Sequence, residues 1–302
     1  MDTKNRSKGC LVGLAVGDAV GTTLEFRQRG TFEPITDMVG GGPFDLLPGQ
    51  WTDDTSMALC LAHSLIYKNG FDPVDQMNRY CNWYQYGYMS STGECFDIGA
   101  TVATALNSYI KTGNPFSGSI DERSSGNGSL MRLAPIAIFY RDNPAELIRY
   151  AGESSRTTHG SAECIDACKY FASLLVIAMS ARKKDELLNT FYQPTTPKVS
   201  AIASGLYLEK NYQQLTGSGY VIESLESALW CFHKADSFEE AILLAANIGN
   251  DADTTAAICG QIAGAFYGVQ AIPVKWISKL VDGDGITDLA CKLVMGCDHA
   301  SL

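Results

Sequence analysis

Glycine recurs every fourth residue at Gly9, Gly13, Gly17 and Gly21, and again at Gly260, Gly264 and Gly268. Residues four apart share one face of a helix, and each glycine inside a helix costs about 1 kcal/mol against alanine. A whole face of them needs a compensation, and close approach of a second helix supplies one. Both ladders are therefore predicted to be packing faces that hold neighbouring helix ends rigidly.

Helical periodicity runs through much of the rest. Ala58, Leu61, Ala62, Leu65 and Ile66 fall on one face of an amphipathic helix, as do Ile258, Ile262, Ala265 and Phe266. Further helices are expected near 98–110, 161–182, 221–233 and 237–247, and alternating strand patterns are scarce. The expected class is all-α. Turn residues interrupt 27–51, with Gly40-Gly41-Gly42-Pro43 and Pro48-Gly49, and irregular stretches follow at 111–129, 192–197 and 211–220. None is long enough to read as an interdomain linker, so residues 1–302 are expected to form a single domain.

Composition removes several function classes. The net charge of −10, with no run of Lys or Arg, argues against direct nucleic-acid binding. No segment approaches the roughly 18 uninterrupted apolar residues of a membrane helix. Lys4, Arg6 and Lys8 precede the apolar stretch Cys10–Gly17, but Asp18 ends it too soon for a secretory signal. Ten cysteines without a CxxC spacing, several in apolar stretches (Cys10, Cys60, Cys231, Cys259), fit buried free thiols in a reducing cytoplasm.

The chemistry lies in two similar helix starts. One is Thr52-Asp53-Asp54-Thr55-Ser56 and the other Asp251-Ala252-Asp253-Thr254-Thr255; placing Asp54 on Asp253 aligns Asp-Thr-(Ser/Thr)-x-Ala-(Leu/Ile)-Cys in both. Either alone reads as helix capping, where Asp and Thr accept backbone N–H bonds. Two acids in one turn exceed what a cap needs. Were the clusters to meet, four carboxylates would share a pocket and would have to protonate or bind dications. Oxygen-only ligation selects hard ions such as Mg²⁺ or Mn²⁺ over zinc.

At these residues the chain resembles the ADP-ribosylglycohydrolase family. Gly13-Leu14-Ala15-Val16-Gly17-Asp18-Ala19-Val20-Gly21 followed by Glu25-Phe26 resembles its first helix and the acid after it, and Trp51–Met57 its first metal motif. Cys95-Phe96-Asp97-Ile98-Gly99 resembles a central helix start, and Gly126-Asn127-Gly128-Ser129-Leu130-Met131-Arg132 its substrate loop. Thr158-His159, Gly219-Tyr220 with Ser227–Trp230, and Asn250–Thr255, which resembles the second metal motif, complete an ordered series along nearly the whole chain.

The resemblance implies a compact orthogonal helical bundle with a binuclear metal cleft. It implies two divalent cations, Mg²⁺ or Mn²⁺, ligated by Thr52, Asp53, Asp54, Asp251, Asp253 and Thr254. It further implies a hydrolase that cleaves the glycosidic bond at the ribose anomeric carbon of an ADP-ribosylated protein, arginine-linked by preference, and releases ADP-ribose. An ADP-ribose-binding module, or a hydrolase of another ADP-ribosyl linkage or small molecule, is the alternative.

Glu25 and Asp97 are the expected catalytic carboxylates. Glu25 alone would read as a surface acid, and Asp97 as the N-cap of the helix it opens. Gly126, Asn127, Gly128, Ser129, Leu130 and Met131 are expected to bind substrate, their glycines suiting a backbone N–H nest for the diphosphate. By the resemblance, His159 contacts phosphate or ribose, and Tyr220 supplies an aromatic ring against the adenine.

Overall fold

The computed structural model describes residues 2–299. Thirteen α-helices follow one another: α1 (Thr3–Gly21), α2 (Asp53–Lys68), α3 (Pro73–Tyr86), α4 (Ala100–Thr112), α5 (Ala134–Phe139), α6 (Pro144–Arg156), α7 (Ala162–Ala178), α8 (Pro197–Ala203), α9 (Val221–Lys234), α10 (Phe238–Ala246), α11 (Ala252–Tyr267), α12 (Val274–Ile277) and α13 (Gly283–His299). Strand pairing among the described residues is limited to isolated bridges, so the all-α expectation holds. No helix among them is long and apolar enough to cross a membrane.

The glycine ladders find each other. α1 and α11 run antiparallel, with Gly9 against Gly264, Gly13 against Gly260, Gly17 against Ala256 and Gly21 against Asp253. A Cβ on Gly260 would lie 2.7 Å from the Gly13 carbonyl carbon, and one on Gly21 would lie 2.5 Å from the Asp253 Cα. Such contacts leave no room for any side chain. Gly268 departs from the ladder: it ends α11 at φ +85°, where glycine adopts a backbone that other residues resist.

The expected amphipathic faces prove too modest. Every residue of α11 from Ala252 to Ala265 is buried, and α2 is buried from Asp53 to Ala62. These helices form the centre of the bundle, with other helices packed around them. Periodicity does not pick out α3, α5, α6, α8, α12 or α13; of these, α3 and α6 begin on local signals, Asp72 and Asn143 capping them with Pro73 and Pro144 in the first turn. Cys10, Cys60, Cys231 and Cys259 are buried free thiols, as expected.

The candidate active site and metal centre

The α1–α11 register delivers the starts of two acidic helices to one place. Asp18, near the end of α1, is fully buried and saturated by four donors from the start of α2. Its Oδ1 accepts from the Thr52 amide and hydroxyl, both at 2.9 Å, and its Oδ2 from the Thr55 amide at 3.0 Å and hydroxyl at 2.6 Å. Beyond α1, the segment after Glu25 pairs with the chain before α11: the Phe26 amide donates to Asn250 O at 2.6 Å, and the Asn250 amide to Arg27 O at 2.7 Å. Glu25 is thereby carried to the start of α11.

Neither acidic cluster caps its helix by a side chain. Thr52 and Asp251 occupy the N-cap positions of α2 and α11 without a capping hydrogen bond. Their groups turn toward each other instead. The Thr52 hydroxyl lies 3.3 Å from both Asp54 Oδ2 and Asp253 Oδ2, and the Thr254 hydroxyl lies 3.3 Å from Asp54 Oδ2. The sequence alignment of the two motifs is not a symmetry of the site, since Thr55 is spent on Asp18 while its counterpart Thr254 faces Asp54.

Two carboxylate triads result, each with ligand atoms within 4.8 Å of one another: Asp18, Asp54 and Asp253, and Glu25, Asp97 and Asp253. Asp253 belongs to both. Burial pushes the acids upward, and their neighbours add to it. Asp53, Asp54 and Asp253 are held well above the usual carboxylate range, and Asp251 is raised. Burial and then Asp97 push Glu25 up to about 10, and burial pushes Asp97 to about 7. Asp18 rises only to about 6, because its four hydrogen bonds oppose the burial. Glu25 Oε2, Asp54 Oδ1 and Asp253 Oδ1 are buried without a partner. Crowded carboxylates with unsatisfied oxygens need protons or cations.

Asp97 is not a helix cap. It stands at φ +57°, three residues before α4, whose N-cap is Gly99. Its side chain turns instead toward Glu25 and Asp253, with which it forms one of the two triads. Phe26 and Asn250 share its left-handed backbone, at φ +58° each. All three border one cavity of about 640 Å³, lined also by Glu25, Asp53, Asp251, Asp253 and Thr254. Strained backbone gathers where side chains are aimed for function.

The loop 126–131 forms another wall. The Asn127 carbonyl accepts from the Leu130 and Met131 amides, making one helical turn, and the Asn127 amide donates to Gly219 O. The Gly128 and Ser129 amides have no partner among the described residues. Gly126 and Gly128 are not at positive φ; the His159 ring packs on both, 2.8 Å from a Cβ built on Gly128. The Asn127 side chain reaches Asp251 Oδ2 at 2.6 Å and Ser224 Oγ at 2.8 Å.

Gly126, Asn127, Gly128, Met131 and His159 line the cavity; Ser129 and Leu130 do not. The Ser129 hydroxyl is bonded to Ser155, and Leu130 is part of the core. Tyr220 lines an adjoining recess that shares Thr101, Gly126 and Gly219 with the main cavity, and its hydroxyl donates to Glu163 while accepting from Lys198. Two site residues carry no label in the sequence reading. Asp18 could have been found as a lone acid in a helix of Gly, Ala, Val and Leu, a setting that demands partners. Arg132, fully buried beneath the loop, gave no such signal.

Comparison decides the identity of this arrangement. The chain matches the ADP-ribosylglycohydrolase family over residues 1–301. It belongs to the ADP-ribosylglycohydrolase family. With the family comes the enzyme class, a hydrolase of a glycosidic bond to ADP-ribose. Among similar members, an ADP-ribosylarginine hydrolase Tri1 of Pseudomonas putida is 43% identical over 289 residues, covering 96% of this chain and 78% of the relative. The ADP-ribosyl-[dinitrogen reductase] glycohydrolase of Rhodospirillum rubrum is 30% identical, covering 91% of this chain and 90% of its own. A solved structure described as an ADP-ribosylglycohydrolase-related protein complex superposes with a TM-score of 0.86 at 40% identity, covering 98% of this chain and 99% of its own.

Proposed function

We propose that this glycohydrolase removes ADP-ribose from arginine side chains of a modified protein, using two divalent cations, Mg²⁺ or Mn²⁺. The observation that carries the reading is the convergence of both acidic helix starts with Glu25 and Asp97 on one cavity. Its volume of about 640 Å³ suits a nucleotide-sized ligand. The relatives named as ADP-ribosylarginine hydrolases favour the arginine linkage. Buried thiols agree with a reducing cytoplasm.

The donor set fits hard cations: it is oxygen only, Asp54 and Asp253 lie within reach of one another, and each keeps a buried carboxylate oxygen without a partner. Thr52, Asp53, Asp54, Asp251, Asp253 and Thr254 would hold the ions. Such ions, when bound, supply charge neutralisation and an acidified water.

The chain itself positions and moves protons. Glu25 has one oxygen without a partner and lies beside Asp97, so the pair can take a proton from attacking water and return one to the departing guanidine nitrogen. The free amide of Gly128, which lines the cavity, is a donor for the diphosphate, with Asn127 tying that loop to Asp251. The recess at Tyr220 receives the adenine.

The test is a panel of peptides carrying ADP-ribose on arginine or serine, incubated with Mg²⁺, Mn²⁺ or EDTA, with release of ADP-ribose measured. Metal-dependent release from arginine is expected. Preferential release from serine would overturn the linkage, activity indifferent to EDTA would overturn the cations, and ADP-ribose binding without any release would make the protein a binding module.

A further inference from the structure

A buried cation beneath the substrate loop has no carboxylate partner among the described residues. Arg132 is fully buried and spends its guanidinium on neutral groups. One terminal nitrogen donates to Gly128 O at 2.7 Å, the other to the Thr158 hydroxyl at 2.7 Å, and the planar group lies 4.8 Å from the centre of the Tyr80 ring. Thr158 is also fully buried, and its hydroxyl lies 2.8 Å from His159 Nδ1. His159 is buried too, and its ring lines the cavity.

The direction of this chain of bonds follows from its first member. A guanidinium only donates, whereas a hydroxyl has one hydrogen to give. Thr158 Oγ1 therefore accepts from Arg132, and its own hydrogen has one acceptor within reach, His159 Nδ1. In the opposite arrangement two donors would point at Oγ1, and the threonine hydrogen would be buried with no acceptor. Nδ1 accepts, so the neutral ring carries its proton on Nε2. Burial and the nearby Arg132 keep that ring neutral, pushing it down to about 3. The Nε2 edge lies on the loop glycines, 3.3 Å from a Cβ built on Gly126 and 3.2 Å from one on Gly128. The His159 backbone is clamped as well, its amide donating to Ser155 O at 2.7 Å and its carbonyl accepting from Ser155 Oγ at 2.9 Å.

We infer that Arg132 and Thr158 form a one-way hydrogen-bond relay that locks His159 as the Nε2–H tautomer, a fixed donor for phosphate or ribose oxygens of the bound nucleotide. Arg132 and Thr158 are positioning residues, and the uncompensated guanidinium places positive charge beneath the loop that lines the cavity. The ligand half of the inference rests on the reading of the cavity as an ADP-ribose site; the tautomer half stands without it.

The test uses full-length protein with ¹⁵N-labelled histidine, the His159 signals being assigned by their absence in His159→Gln. Long-range proton–nitrogen spectra of the free protein should show His159 protonated at Nε2 and bare at Nδ1 across the neutral range. Thr158→Val keeps the shape and removes the hydroxyl; the ring should then populate the Nδ1–H form. Calorimetric ADP-ribose affinity should fall about tenfold, the size expected for one lost hydrogen bond. Thr158→Ser should restore both. A wild-type ring protonated at Nδ1 overturns the relay whatever the cavity binds, even if no variant folds. A tautomer unmoved in folded Thr158→Val overturns it equally. A tautomer that switches without loss of affinity overturns the ligand role alone, while failure of wild-type protein to bind ADP-ribose overturns the reading of the cavity.

Discussion

The side-chain amide of Asn127 donates to the Asp251 carboxylate at 2.6 Å, joining the substrate loop to the acidic centre across 124 residues of chain. A hydrogen bond to a charged group contributes about 1.5–3 kcal/mol, enough to make the two halves of the cavity respond to each other. Asn127→Ala should therefore weaken ADP-ribose binding in the presence of metal, and should also shrink the gain in affinity that metal brings. Calorimetric titration of ADP-ribose with and without Mn²⁺ measures both. An unchanged metal-linked gain in a folded variant would show that the contact carries no coupling.

The carboxylate cluster sets a pH dependence whose sign can be worked out. Asp18, Asp97 and Glu25 have folded values of about 6, 7 and 10 against ordinary values of 3.8, 3.8 and 4.5. For groups raised in the folded state, the stabilisation is complete below the ordinary value and is lost as pH rises through the folded one. Metal-free protein should thus lose stability from about pH 4 upward, through pH 7 and toward pH 10. Under the proposed function a divalent cation takes the place of these protons, so the rise in melting temperature on adding Mg²⁺ or Mn²⁺ should be larger at pH 8 than at pH 5, and EDTA should reverse it. A hundredfold excess over the dissociation constant stabilises by about 2.7 kcal/mol. A melt indifferent to divalent ions at both pH values would contradict the metal centre.

Removing the proton carriers should separate chemistry from metal binding. Glu25→Gln and Asp97→Asn keep the shape of each side chain and remove the ionisable group. Loss of a general acid or base lowers turnover about 10²–10⁴-fold. Turnover of ADP-ribosyl-arginine should fall by that order while most of the metal-induced thermal shift survives. Wild-type turnover in Glu25→Gln would exclude it from proton transfer.

The α1–α11 contact predicts a reversal of the usual rule that alanine improves a helix over glycine by up to about 1 kcal/mol. Gly260→Ala would drive its Cβ into the Gly13 carbonyl, 2.7 Å from its carbon. Overpacking of this kind costs about 1–3 kcal/mol, and backbone yields less readily than a side chain, so the melting temperature should fall by several degrees. Gly296→Ala, in α13, would meet only the Phe139 ring at 3.2 Å and should be near neutral or mildly stabilising. Equal melting temperatures for Gly260→Ala and wild type would mean that the helices can part without penalty.

The sequence by itself determined that the chain is helical and where its central helices lie, which helix face is bare of side chains, and which two helix starts carry more acid than a cap can use. Those properties are local: spacing, propensity and charge density within a few residues. Tertiary structure alone decided that the two bare faces belong to each other, and in what register. That register brings Glu25, Asp54 and Asp253 together over about 200 residues of chain. It also decided the roles that a one-dimensional reading leaves open. Asp97 points into the cluster because its backbone is held left-handed ahead of α4, while Ser129 and Leu130 turn into the core because Asn127 starts a helical turn there. Buried polar groups such as Asp18 and Arg132 acquire meaning only from partners far along the chain, since the cost of burying them is met by contacts that no local pattern encodes.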